Sequence, residues 1–404
     1  MEFLNNKKRK IKSIFYGFFS KILIIFLTLL RFLRIHIRIN ELETRAIGHY
    51  STTIESYLLN LENHKNTKNF TINIDIWFRN KIIANYFLYN YWKKYLNVYP
   101  PFFKIFFNMI IFEKKFDFLI PYKHWRTHKS FPRDEENILD KNSPIINFNK
   151  NEIIKAEKIL NSTGFDFNQE FFCFSNRDTK FRNDLNAQSS LLIRDYKVSV
   201  FNKSLIALSN KKIGAVRMGS LNHDKLSLNN KFIFDYAFSN IKNDFLDFYI
   251  FSKAKFAVVG NSGINNIPFM LRKPTLGINL LPYVIKNWNC KFHKLTIFKK
   301  IYSNKKNRYL NYKEVFDITI AADIFDNFKI QELELSVVDN TEKEIFDLIN
   351  EYLLKQNNNW TYSESEKQCQ EIINNFFRNV YKIDCKNVSV GYNFAKENID
   401  LFKS

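Results

Sequence analysis

Apolar and polar positions change rhythm repeatedly along this chain. Between about residues 170 and 285 the change is regular. Phe171 to Ser175 is a short apolar run suited to a buried strand, and Val200 to Leu208 repeats its apolar positions with helical spacing. Lys212 to Arg217 reads as a strand and Asn243 to Phe251 as a helix. Phe256 to Val259 is a compact strand, Ile264 to Leu271 a helix and Thr275 to Ile278 a further strand. Strands taking turns with helices predict an α/β domain with a mostly parallel sheet, which binds ligands beyond the carboxyl ends of its strands.

The N-terminal half carries the same rhythm more faintly. Thr71 to Phe78 alternates as a strand, and Ala84 to Leu96 is an aromatic-rich helix. Pro121 and Pro132 mark loops leading to an Asn/Asp/Lys-rich stretch, Asp134 to Asn151, that suits an interdomain linker. Thr341 and Glu344 form a capping box ahead of a helix from Ile345 to Leu354, and the tail from Glu364 is mostly helical. Two α/β halves facing a cleft follow. The expected divisions are 1–38, a basic N-terminal helix; 39–150, an N-terminal α/β domain; 151–300, a C-terminal α/β domain; and 301–404, a mostly helical extension.

The first segment stands apart. Ile14 to Leu30 is apolar but broken by Lys21, with Lys7, Lys8, Arg9, Lys10 and Lys12 before it and Arg31, Arg34, His36 and Arg38 after. A spanning helix needs about 20 apolar residues, and a signal peptide needs small residues at its cleavage site. Leu29, Leu30, Arg31 and Phe32 supply none. The fitting interpretation is a helix lying in an anionic membrane surface, with a single-pass anchor as the alternative. That interpretation places the chain at a membrane surface.

Composition then narrows the field. The net charge of +21 suggests nucleic acid at first, but the first 38 residues hold nine Lys/Arg against one Glu. The rest is spread thinly, and no nucleic-acid module accompanies it, so a membrane surface is the better partner. Cys173, Cys290, Cys369 and Cys385 are far apart, without metal-ligand spacing, which argues against zinc and a disulfide framework.

Glycine is scarce: nine residues in 404, against a usual frequency of about 7%. Five of them, Gly214, Gly219, Gly260, Gly263 and Gly277, gather in one window. Glycine is kept where φ must be positive or the backbone must approach a ligand, so the chemistry is expected there. Within that window Gly260-Asn261-Ser262-Gly263 joins a buried strand to a helix. Backbone amides and the helix dipole at such a junction bind anions, and Ser262 adds a hydroxyl. A plain helix cap with Ser262 as N-cap explains the same residues. Neither a Walker A loop nor a GxGxxG fingerprint is present, which lowers the case for an ATPase or a dehydrogenase.

Arginines recur at strand ends. Arg177-Asp178 follows the strand at Phe171, Arg217-Met218-Gly219 follows another, and Arg194-Asp195-Tyr196 repeats the pattern. A preorganised arginine there neutralises a departing diphosphate; a surface ion pair is the simpler alternative. Asp235, Tyr236 and Asp247 suit a ribose or base, and equally a helix cap or a solvated face. His49, beside the isolated Gly48, is a candidate base for an acceptor hydroxyl, although a lone histidine is more often structural. No Asp-x-Asp motif follows an apolar strand, so no metal and no cofactor are expected; the absence of G-x-S-x-G argues against a hydrolase of the α/β class.

Taken in order, these blocks resemble a family of bacterial glycosyltransferases from surface-polysaccharide loci, distantly similar to GT-B fucosyltransferases. The matching blocks are Arg45 to His49, Ile83-Ala84-Asn85, Arg177-Asp178, Arg194 to Lys197, Val216 to Gly219 and Asp235-Tyr236-Ala237. They continue through Asp244 to Asp247, Gly260 to Gly263, Lys273-Pro274, Asn279 to Pro282 and Asp339-Asn340-Thr341. Where the family carries His or Val before Arg-Asp, this chain has Ser175-Asn176. The resemblance implies a GT-B fold and sugar transfer from a nucleotide-diphosphate donor to a glycan or lipid-linked acceptor. Arg177, Asp178 and His49 would be catalytic. Arg194, Arg217, Gly219, Asp235, Tyr236, Asn261, Ser262 and Gly263 would hold the donor. A sugar-nucleotide epimerase and a non-catalytic basic membrane scaffold are the rival interpretations.

Overall fold

A computed structural model describes residues 18–64, 72–103, 137–178, 193–219, 224–282, 284–285, 290–322, 327–384 and 389–403. The loops read at Pro121 and Pro132, and the basic run Lys7 to Lys12, lie outside these residues. The chain divides into two compact units, Met1–Ile138 and Leu139–Ser404.

The first unit is built on a parallel sheet of β1 (Ile35–Leu42), β2 (Ile72–Arg79) and β3 (Asn97–Tyr99), in that order. Parallel sheets need cover on both faces. On one face Ile24 and Leu27 of a helix at residues 18–32 pack against Ile39 and Phe78, with Leu23, Ile37 and Ile76 around them. On the other face Tyr57, from the helix Thr52–His64, meets Trp77 at 5.1 Å between ring centres. Successive strand residues point to opposite faces, which is why Trp77 and its neighbours Ile76 and Phe78 serve different layers. Strand β1 begins inside the stretch read as a basic N-terminal segment. Its alternation is hidden in the sequence because charged residues occupy the second face: Arg38 stands opposite Asp75 in register and forms a forked ion pair with it. No described helix is long and apolar enough to cross a membrane.

The second unit holds β4 (Phe171–Phe174), β5 (Gly214–Arg217), β6 (Ile233–Phe234), β7 (Ala257–Val259), β8 (Thr275–Leu280) and β9 (His293–Phe298). Three further strands, β10 (Lys300–Ser303), β11 (Arg308–Tyr309) and β12 (Leu335–Val338), make a small antiparallel sheet. With β13 (Ser389–Val390) the main sheet runs β13-β9-β8-β7-β4-β5-β6, every pair parallel. Strands β4 and β7 are buried throughout, which explains why their sequences are unbroken apolar runs. Phe172 and Phe256 stack at 5.1 Å, and Phe174 meets Phe201 at 4.7 Å. The helix Glu342–Gln356 starts at the Thr341–Glu344 capping box, both halves of which form.

The strand order has one reversal. From β4 the chain proceeds outward through β5 and β6, then returns to the opposite side of β4 at β7 and proceeds through β8 and β9. Connections therefore leave the sheet in opposite directions at the β4–β7 boundary. At such a switch point a crevice opens outside the carboxyl ends. Two elements are shorter than their sequences suggest, and the first is the helix read from Ala84 to Leu96, which spans Tyr86–Trp92. The helix read from Ile264 to Leu271 is a 3-10 turn, Gly263–Asn265, followed by an α-helix of five residues, Asn266–Met270. Pro268 has no amide to return to the Ile264 carbonyl, so the first turn takes the tighter form.

Candidate functional site

The carboxyl ends of β4 and β7 supply Ser175-Asn176-Arg177 and Gly260-Asn261-Ser262-Gly263, and Tyr196 ties the two together. Its hydroxyl donates to the Ser175 carbonyl at 2.7 Å. Its backbone amide donates to the Arg177 carbonyl at 3.2 Å, and its carbonyl accepts from Asn176 Nδ2 at 3.3 Å. Burial raises the Tyr196 pKa well above the ordinary phenol value, so the hydroxyl stays protonated and can keep donating.

Gly260 is glycine because of this tyrosine. A Cβ on residue 260 would sit 2.5 Å from the Tyr196 ring and its oxygen. The sequence reading assigned the glycines of this turn to a positive φ or to a ligand. Among the described glycines only Gly164 and Gly219 have positive φ, and Gly263 opens the 3-10 turn. Gly219, at φ +132 two residues after the end of β5, is where that reason holds. Ser262 is the N-cap residue by position, but its hydroxyl makes no cap bond and lies 3.3 Å from Asn265 Oδ1. The first amides of the turn have no intrahelical acceptors, as at any helix start.

Beside β4, Arg217 ends β5 with a fully buried side chain. Its Nε and Nη2 donate to Asn176 Oδ1 at 3.2 and 2.9 Å, and Nη1 donates to Asp235 Oδ2 at 3.1 Å. Burial lowers its proton affinity; Asp235 opposes that most, followed by Asp224 and Asp178. The guanidinium is thus committed to protein acceptors. Its effect is to fix Asn176, and through it the loop bearing Arg177. Asp235 was read as a ribose or base contact; here one oxygen takes Arg217 and the Leu226 amide.

On the other side of Tyr196, Arg177 Nε faces Asp195 Oδ1 at 3.5 Å. Lys299, directly after β9, donates to the Asp195 carbonyl at 2.8 Å and to Asp339 Oδ1 at 2.6 Å. Its side chain is 2% exposed, and burial lowers its pKa against the pull of Asp339 and Asp195. Arg177, Arg217 and Lys299 thus line one sheet edge with Asn176 and Tyr196 between them. The carboxylates of Asp195, Asp235 and Asp339 balance them. A sheet edge whose cations are already oriented by protein bonds needs no reorganisation to face an anion.

Other residues read from the sequence fall elsewhere. Tyr236 is buried, and its hydroxyl exchanges hydrogen bonds with the Asn243 carbonyl and amide, which fixes the cap of the helix Asp244–Lys253. Asp247 lies inside that helix, paired with Lys242 at 3.0 Å; it is neither a cap nor a solvated face. Arg194 is half-buried in the turn before Asp195. His49 belongs to the first unit, half-buried on the short helix Ile47–Tyr50.

The sequence reading missed Lys299, Asn176 as the partner of Arg217, and Tyr196 as the brace. Lys299 had a signal: a basic residue immediately after the apolar run Leu295 to Phe298. It also missed the polar edge of the first unit. There Glu43 is buried and forks Arg45 at 2.6 and 2.9 Å, and Asn80 bridges the Thr44 amide and Glu41.

No family model matches the chain, and no curated protein matches it. Three solved chains align with this one, among them the following two. A glycosyl transferase family 9 protein from Veillonella parvula aligns over 79% of this chain and 97% of its own, at 9% identity and a TM-score of 0.43. The ADP-heptose LPS heptosyltransferase II of E. coli aligns over 60% and 84%, at 9% identity and a TM-score of 0.32. Neither is described as a fucosyltransferase. Similarity of this degree leaves the function to the chemistry of the sheet edge.

Proposed function

We propose that the chain is a glycosyltransferase whose second unit binds a nucleotide-diphosphate sugar at the β4–β7 switch point. The observation that carries this proposal is the convergence there of Arg177 and Lys299, both held in place by protein bonds, beside the turn at Gly260. In the transfer step the bond from the anomeric carbon to the diphosphate oxygen breaks, and its electron pair leaves with the diphosphate. Arg177 meets the charge that develops there, and the Gly263 and Ile264 amides hold the phosphate. Arg217 keeps Asn176 in place beneath them. The acceptor hydroxyl forms the new bond and gives up its proton to a general base.

The donor's cationic partner in this scheme is the protein, so transfer is expected to survive a chelator. A thermal-shift screen with ADP, GDP, UDP, CMP and their sugars tests the assignment before any acceptor is known. A rise in melting temperature with one diphosphate and its sugar, and none with the matching monophosphate, is the expected outcome. Absence of a rise with every nucleotide contradicts it.

A further inference from the structure

The helix at residues 18–32 has two apolar faces. Ile24 and Leu27 are buried on the first unit's sheet. The opposite stripe, Phe18, Ile22, Ile25, Phe26, Leu29 and Phe32, is exposed, Phe32 to 81%. These positions recur at intervals that keep them on one helix face, so the exposure is a continuous band. Ile72 and Ile74 are also exposed, on the sheet face that carries the helix, since they alternate with Ile76 and Phe78. Apolar surface gathered in this way marks an interaction site.

Charge identifies the partner. Exposed Lys21 borders the band, and exposed Arg34 stands where the helix ends. The sequence just upstream adds Lys7, Lys8, Arg9, Lys10 and Lys12, so residues 1–38 hold nine basic residues against one acidic. A protein partner with an apolar face would not need this excess, whereas an anionic lipid surface offers apolar depth and negative headgroups together.

We propose that this face lies flat in the headgroup region of an anionic bilayer. The exposed stripe enters the acyl boundary, and Lys21 and Arg34 reach lipid phosphates. The helix is then shared between the sheet and the lipid. Docking occurs through a folded wall of the first unit instead of through a detachable tether, and it stands independently of the glycosyl-transfer proposal.

Sedimentation of the full chain with phosphatidylglycerol-containing vesicles, and with phosphatidylcholine vesicles alone, tests this. The chain should pellet with the anionic vesicles and release as salt rises. The double substitution Ile25→Glu/Phe26→Glu should lower partitioning at least about tenfold while the melting temperature holds, because both side chains are exposed and two apolar contacts are lost. Leu27→Ala should lower the melting temperature instead, because Leu27 is buried on the sheet. Equal partitioning of wild type and double variant overturns the proposal, as does wild type that ignores anionic vesicles. An oligomer that the double variant splits, without vesicle binding, also overturns it and assigns the face to a second copy of the chain.

Discussion

Each unit of this protein has a parallel sheet whose carboxyl edge buries polar groups, yet the two edges differ in charge. At the first unit's edge the buried ionic group is an acid, Glu43, with Arg45 outside it and 38% exposed. Glu55, at the start of the helix leaving that edge, is fully buried as well. At the second unit's edge the buried ionic groups are bases: Arg217 and Lys299 are almost completely enclosed, and their carboxylate partners are the more exposed members. A sheet edge that encloses its cations and leaves their counterions near water is suited to an incoming anion. One that encloses its acids is suited to accepting a proton or a hydroxyl. The same fold element has been given opposite chemistry by a few residues at strand ends.

The largest effect should come from unbalancing the enclosed cation. Asp235→Ala leaves the Arg217 guanidinium, 0% exposed, without its carboxylate, and breaking such a pair costs about 3–5 kcal/mol. Urea unfolding should show that loss. Glu43→Gln, which removes the acid of the first unit's pair and leaves Arg45, 38% exposed, within reach of water, should cost about 1 kcal/mol or less if the contrast between the edges is real. Equal losses would break the comparison.

Arg177→Ala should lower kcat about a hundredfold with little change in melting temperature, since one preorganised donor to a developing anion contributes on that scale. A steady-state assay with the donor found by thermal shift measures it. Gly260→Ala should destabilise by about 1–3 kcal/mol, because the new methyl meets the Tyr196 ring at 2.5 Å and the brace must move. Gly219→Ala should also destabilise, but through backbone strain at φ +132, with open space around the added methyl.

The smallest effect is a pH dependence with two opposite signs. Burial lowers the Lys299 pKa below the ordinary lysine value of 10.5. Above the folded value the unfolded chain binds more protons than the native one, so stability should rise with pH between the folded pKa and 10.5. Donor affinity should fall over the same range, because the ammonium is lost. Lys299→Met should flatten the stability slope, as followed by denaturation at several alkaline pH values.

Much of the second unit was legible because its central strands are buried on both faces. Phe171 to Phe174 and Ala257 to Val259 had to be apolar runs, and local capping residues such as Thr341 and Glu344 carried their own signal. What hid was what depends on partners distant in sequence. Strand β1 was lost among basic residues because Arg38 answers Asp75, far along the chain. The reason for Gly260 lay in Tyr196, and Arg217 looked like a ligand residue until Asn176 and Asp235 were seen to occupy it. Likewise the N-terminal helix showed its apolar length in sequence, but its division into a face for the sheet and a face left open needed β1 and β2.

The central claim is that the cationic edge of the second unit holds a nucleoside diphosphate. Isothermal titration of the full chain with the best diphosphate from the nucleotide screen tests it most directly, in wild type and in Arg177→Ala. Saturable one-to-one binding that weakens about tenfold or more in the variant, and again in the matching monophosphate, is the predicted result. Binding of equal strength in wild type and variant, or no binding of any nucleoside diphosphate, would contradict it.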